Sequence, residues 1–153
     1  MKAVVQRVSQ ASVEVDGKTI GKIESGLVIL LGVHQEDSLE DALYLAKKIA
    51  GLRIFEDTAG KMNLGLSAVS GKALVISQFT LYANTRKGRR PSFIEAALPE
   101  KAESLYNFFM QSLEAETVEV EKGIFGAMMT VNIVNQGPVT IIIDSEDRHK
   151  PRE

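Results

Sequence analysis

Residues 73–93 read ALVISQFTLYANTRKGRRPSF, and their character changes twice. Ala73 to Ile76 is a short apolar run of the kind that fills a buried strand. Ser77, Gln78, Phe79 and Thr80 then mix hydroxyls, an amide and an aromatic where a purely structural strand would continue in Val and Ile. After Leu81 and Tyr82 come Arg86, Lys87, Arg89 and Arg90 around Gly88, closed by Pro91. An apolar strand thus ends in small polar residues and feeds a dense basic loop, a combination that points to a site with phosphate as partner.

Outward from this stretch, the N-terminal region alternates apolar and polar residues through Val8, Ala11, Val13, Val15 and Ile20. Asp16-Gly17 breaks it as a hairpin turn. Leu27 to Val33 is continuously apolar and belongs in the middle of a sheet. Ser38 with Asp41 three positions on forms a capping box with the shorter acid, and Leu39, Ala42, Leu43, Ala46, Ile49 and Ala50 keep helical spacing until Gly51. Leu52 to Phe55 reads as a strand, and Glu56 to Lys61 as a turn. Met62 to Leu66 shows no clear period.

Beyond the basic loop, Pro99 opens a second helix whose Ala102, Leu105, Tyr106, Phe109 and Leu113 form one apolar stripe, read as core. Thr117 to Glu121, Ala127 to Val134 and Val139 to Ile143 read as three strands, with Asn135-Gln136-Gly137-Pro138 between the last two. The sum is a β-rich, mixed α/β chain with two helices. Residues 1–144 form one expected domain, and 145–153 an expected mobile, charged tail.

The chain has 153 residues, 44% hydrophobic and 25% charged, a size and composition suited to one buried core. Its net charge of -2 conceals uneven placement. Between Gly71 and Pro99 five Lys or Arg face only Glu95, whereas Glu100 to Lys122 holds six Glu and two Lys. Cysteine is absent, which removes disulfides and thiolate catalysis. Arg7 interrupts what would have to be the core of a signal peptide, and no run of about 18 apolar residues occurs. A cytoplasmic protein with no membrane partner is expected.

The two histidines, His34 and His149, stand far apart, one past a core strand and one in the tail, so neither a triad nor a metal site is expected. No glycine-rich phosphate loop is present either. Thr80 has no His, Lys or free amine beside it to activate its hydroxyl. A polar strand end can instead aim backbone N–H groups at a developing oxyanion, worth about 3 to 4 kcal/mol per donor. Alternatively, Ser77, Gln78 and Thr80 serve only the backbone of a bulged strand. Gly137-Pro138 is similarly open between a bulge device and a cis bond that aims both carbonyls one way.

Ser77-Gln78-Phe79-Thr80 and Asn135-Gln136-Gly137-Pro138-Val139-Thr140 resemble the two signature motifs of the D-aminoacyl-tRNA deacylases. The likeness extends through Gln6-Arg7-Val8, residues 51–63, Arg90-Pro91-Ser92-Phe93 and residues 102–106, and so nearly to Ile143. It implies a layered β/β/α domain with two helices packed on a barrel-like sheet, and a homodimer with active sites at the interface. It also implies hydrolysis of the ester joining a D-amino acid, or glycine mischarged on tRNA-Ala, to the 3′-terminal adenosine of tRNA, without cofactor or metal and without DNA as partner.

By the same resemblance, the backbone of Ser77, Gln78, Phe79 and Thr80 forms the oxyanion pocket while the tRNA 2′-hydroxyl helps activate water. Gly137 and Pro138, joined by a cis bond and held by Arg7, form a gate that excludes L side chains from the partner's site. Ala102, Phe125 and Met129 line an adenine pocket. Ile124 and Met128 depart from the charged pair common there. Arg86, Lys87, Arg89 and Arg90 are the expected tRNA phosphate contacts. Two other readings stand beside this one: an RNA-binding module without catalysis, for which the basic loop suffices, and an esterase with Thr80 as nucleophile.

Overall fold

The computed structural model describes all 153 residues. Strand β1 (Lys2–Val15) turns at Asp16-Gly17 into β2 (Lys18–Ile23). Both turn residues have positive φ, 50° and 76°, the twist that matches a two-residue hairpin to its strands. Strand β3 (Gly26–Gly32) continues along the same edge of β1, from Val8 opposite Gly26 to Lys2 opposite Gly32. Helix α1 (Leu39–Ala50) follows, then a two-stranded arm of β4 (Phe55–Glu56) and β5 (Met62–Leu64). Strand β6 (Lys72–Ser77), helix α2 (Pro99–Ala115), β7 (Glu119–Lys122) and β8 (Thr130–Asp144) complete the chain.

Strand β3 pairs parallel with β6, and β6 parallel with β7. Parallel neighbours need long crossovers, which α1 and α2 supply, and the two helices pack together over one face of the sheet. Alternation along the central strands then builds two hydrophobic clusters. Leu27, Ile29, Leu31, Ala73 and Val75 face the helices and join Leu45, Ile49, Leu105, Tyr106, Phe109 and Leu113. Val28, Leu74 and Ile76 face the opposite way and meet Val8, Ala11, Val13 and Ile23. Continuous apolar strands are what a sheet covered on both faces requires. A Cβ on Gly21 would lie 2.8 Å from the Lys122 carbonyl, so β2 curls against β7 and the sheet comes close to closing as a barrel.

The capping box forms as expected: the Ser38 N–H donates to Asp41 Oδ2 at 2.9 Å, and the Ser38 hydroxyl to the same oxygen at 3.1 Å. Three expectations change. The strand expected at Leu52 to Phe55 shrinks to Phe55–Glu56, because the Ile54 carbonyl is taken by Arg7 rather than by a neighbouring strand. The two strands expected on either side of Asn135 to Pro138 are one strand, β8, because both segments pair antiparallel with β1; the loop is a bulge in that ladder, where Gln6 opposes Thr140 and Val8 opposes Asn135. The segment from 145 on, expected to be mobile, begins with a docked 3-10 turn, Ser145–His149, drawn in by charge.

That docking ties the chain's two ends together. The Met1 ammonium donates to Asp37 Oδ1 at 2.6 Å and to the Ser145 hydroxyl at 2.7 Å, and the Ser145 N–H donates to the Met1 carbonyl at 2.8 Å. Arg148 reaches Asp41 and Glu40 at 3.2 Å each. Burial disfavours the Asp41 anion, but hydrogen bonds from Ser38 and Ser145 and the charge of Arg148 outweigh it and hold its pKa down at about 2.

Candidate active site

Strand β6 stops at Ser77 because its last ladder bond is made by the next residue: the Gln78 N–H donates to the Leu31 carbonyl at 2.8 Å. The chain then winds into a 3-10 turn, Phe79–Tyr82, rather than the bulged strand of the alternative reading. In such a turn the first intrahelical acceptors are reached only three residues on, so the leading amides, those of Phe79 and Thr80, have no acceptor within it. The Leu81 N–H returns to the Gln78 carbonyl at 3.2 Å and the Ala83 N–H to the Thr80 carbonyl at 3.0 Å, which closes the turn behind the two free donors. The Gln78 side-chain amide donates to the Thr80 hydroxyl. No His, Lys or carboxylate is hydrogen-bonded to that hydroxyl.

Phe79 is 56% exposed, with its ring edge-on to Phe93 at 5.2 Å between centroids. Leaving a large aromatic in solvent beside unpaired amides gives the strand end an apolar wall next to donors. Phe93 belongs to the basic loop, whose neck is closed by reciprocal backbone bonds between Asn84 and Ser92 at 2.8 and 2.9 Å. Asn84 also accepts the Arg86 N–H at 3.0 Å, and Gly88 takes a φ of 65° at the tip. Arg86, Lys87, Arg89 and Arg90 are all exposed and none is paired with a carboxylate. Four uncompensated cations on a pinned loop suit a polyanion.

The third group of expected residues lies past β7. Gly123 leaves the ladder with its N–H toward the Val75 carbonyl at 3.5 Å, and Phe125 packs on Tyr106 of α2 at 5.9 Å. A Cβ on Gly123 would meet Met129 Sδ at 2.5 Å, so the two ends of the 123–129 loop touch. Ala102, one turn before Tyr106, is buried on the same helix. Ala102 and Phe125 belong to the helix-side cluster, whereas Met129 packs on the cluster of the opposite sheet face, and Ile124 and Met128 are exposed.

Arg7 is buried, and its guanidinium bridges two carbonyls, Gln136 at 3.1 Å and Ile54 at 2.7 Å. It thereby holds the bulge of β8 against the start of the β4 arm. Gly137 has a φ of 123°, a conformation only glycine adopts comfortably, and the Gly137-Pro138 bond is cis. Gln136, Gly137 and Pro138 are exposed. No hydrogen bond joins this bulge to Ser77–Thr80 of the same chain. Helical spacing assigns Tyr106 only to the core stripe; the bond its hydroxyl donates to the Val75 carbonyl at 2.9 Å is visible only in three dimensions.

A family model described as D-Tyr-tRNA(Tyr) deacylase matches residues 4–144. A D-aminoacyl-tRNA deacylase of Dehalococcoides mccartyi is 60% identical over 152 residues, 99% of each chain. One from Desulfatibacillum aliphaticivorans is 58% identical over 95% of this chain and 100% of its own. Among solved structures, the c-Myc DNA Unwinding Element Binding Protein superposes with a TM-score of 0.88 at 42% identity, over 94% of this chain and 98% of that one. A probable eukaryotic D-amino acid tRNA deacylase shares the fold, with a TM-score of 0.82 at 16% identity and the same coverage.

Proposed function

Because the chain belongs to the D-aminoacyl-tRNA deacylase family, hydrolases that act on aminoacyl-tRNA, we propose that its active centre is the end of β6 and that it discriminates chirality by exclusion. The observation that carries this is the pair of unpaired amides on Phe79 and Thr80, two exposed residues at the start of the turn, with no nucleophilic side chain activated beside them. The ester carbonyl of the substrate accepts from these amides, and its oxygen gains negative charge as water adds, where the donors strengthen most. The 2′-hydroxyl of the terminal ribose takes part in activating that water. The adenine lies against Ala102, Phe125 and Met129, and the acceptor-end phosphates against Arg86, Lys87, Arg89 and Arg90.

The working form is a homodimer. Strand β8 pairs only on its β1 side over its whole length, and its outer face exposes Val134 and Ile142, at 44% and 73%. Such a long open edge calls for a covering chain. In the dimer the bulge at Gly137-Pro138, fixed by Arg7 and exposed, enters the partner's site and clashes with an L side chain while a D side chain points elsewhere. Glycine, lacking a side chain, also passes, so glycyl-tRNA mischarged on tRNA-Ala is a second substrate. The reaction takes place in the cytoplasm.

The test is hydrolysis of matched D- and L-aminoacyl-tRNA by the purified protein in EDTA. Loss of the D ester while the L ester survives is expected. A second reading, a nucleic-acid-binding module without catalysis, is favoured by the unpaired basic loop and by similarity to a protein named for binding a DNA element. It predicts salt-sensitive binding and equal, negligible loss of both esters.

A further inference from the structure

Tyr106 is 3% exposed, and its hydroxyl donates to the Val75 carbonyl at 2.9 Å. Val75 occupies a junction. It is the last residue of β6 in register with β7, opposite Lys122, and immediately beyond it the two chains part. One runs through Ile76 to the free amides of Phe79 and Thr80, the other through Gly123 to Phe125. The Gly123 N–H approaches the same carbonyl only at 3.5 Å, a long bond at the edge of usefulness. The Tyr106 hydroxyl is therefore the stronger tie on that oxygen. Burial pushes its pKa up, so it remains a proton donor across the working pH range.

The ring of the same residue supports Phe125 at 5.9 Å and an interplanar angle of 49°, and Ala102 lies one helical turn away on the same face. From α2, one side chain thus reaches both the strand leading to the amides and the aromatic of the 123–129 loop. A purely structural tyrosine in a helix–sheet core would need no such placement, since a phenylalanine fills the same volume without a hydroxyl to satisfy.

We propose that Tyr106 is a positioning residue for the terminal adenosine: its hydroxyl ties α2 to β6 at Val75, where the 123–129 loop departs, and its ring sets the angle of Phe125. This rests on the adenosine-binding reading of Ala102, Phe125 and Met129 above. Tyr106→Phe keeps the ring and frees the Val75 carbonyl, and Tyr106→Leu removes both supports.

The experiment measures binding of a non-hydrolysable 3′-aminoacylamido-3′-deoxyadenosine by calorimetry, alongside kcat and KM on D-aminoacyl-tRNA and the thermal unfolding midpoint. Tyr106→Phe is expected to raise Kd and KM by about fivefold, the effect of about one hydrogen bond, with kcat within about twofold. A merely structural role would lower the folded fraction, and with it kcat, while KM held. Tyr106→Leu is expected to weaken binding further, and Phe125→Ala to add little on top of it. Unchanged Kd and KM in Tyr106→Phe, failure of the wild type to bind the analogue, or full additivity with Phe125→Ala each overturn the proposal. A wild type that binds the analogue yet leaves D-aminoacyl-tRNA intact would sink the deacylase mechanism alone, because the calorimetric comparison of the variants would still hold.

Discussion

The junction of the chain's two ends and the open end of β6 are both rich in polar groups and treat them oppositely. At the junction, Met1, Asp37, Asp41, Ser145 and Arg148 are drawn together by hydrogen bonds, and all but Arg148 are buried. At the end of β6, two amides and four exposed basic side chains have no partner in the chain. Buried and satisfied polar groups hold a fold, while exposed and unsatisfied ones await a ligand, so perturbing each region should separate stability from catalysis.

The largest effect expected is at Asp37. Replacing it with Ala leaves the Met1 ammonium, fully buried, without its carboxylate, and removal of one member of a buried pair costs about 3–5 kcal/mol. Chemical denaturation should show that loss while kcat/KM per folded molecule is unchanged. A variant that kept full stability would mean that water replaces the carboxylate, and the contrast between the regions would be weaker than drawn.

The counterpart at β6 is Phe79→Pro set against Phe79→Ala. Both lose the edge-on contact with Phe93, but only proline also removes the N–H. Proline suits the first position of the turn, and Gln78 before it has φ -144° and ψ 79°, outside the helical region that proline disfavours. Deacylation by Phe79→Pro should fall about 10²-fold below that of Phe79→Ala, with similar unfolding midpoints. Equal rates would remove the Phe79 amide from the mechanism.

A smaller effect comes from pH. Asp41 titrates at about 2 in the fold against 3.8 in the open chain. A depressed carboxylate pKa contributes stability that is present above pH ~4 and lost as the pH falls toward 2, here about 2 kcal/mol. Unfolding measured across that window should flatten in Asp41→Asn, and activity at neutral pH should follow the folded fraction.

What was legible in the sequence divides along the same line. Local signals were read directly: Asp16-Gly17 made its hairpin, Ser38 and Asp41 their capping box, Gly51 its helix end, and the apolar runs at Leu27 and Ala73 the centre of the sheet. The strand end at Ser77 was legible because polar residues interrupt an apolar run, and Arg7 because the family likeness pointed to it. Long-range pairings left no local trace. Nothing around Met1 signals that Asp37 and Ser145 will meet it, and a charged C-terminal segment without pattern looks the same whether or not Arg148 finds an acidic helix start. The continuity of β8 was hidden for a related reason: Asn-Gln-Gly-Pro reads as a turn, and only β1 running alongside shows that the chain keeps its direction through the bulge.

The smallest expected effect is the most discriminating for the chemistry. Thr80→Ala deletes the hydroxyl that accepts from the Gln78 side chain but keeps the amide, and alanine is at least as compatible with the turn. If the backbone is the catalytic element, the deacylation rate should stay within about fivefold of the wild type, the modest loss reflecting a less firmly held Gln78 side chain. If the hydroxyl were the attacking group, its removal would cost about 10⁴-fold or more, as loss of a true nucleophile does. The structure favours the first outcome on geometry: an attacking hydroxyl must have a base within hydrogen-bond reach, and the one hydrogen-bond partner the Thr80 hydroxyl has is an amide that donates to it and cannot take its proton.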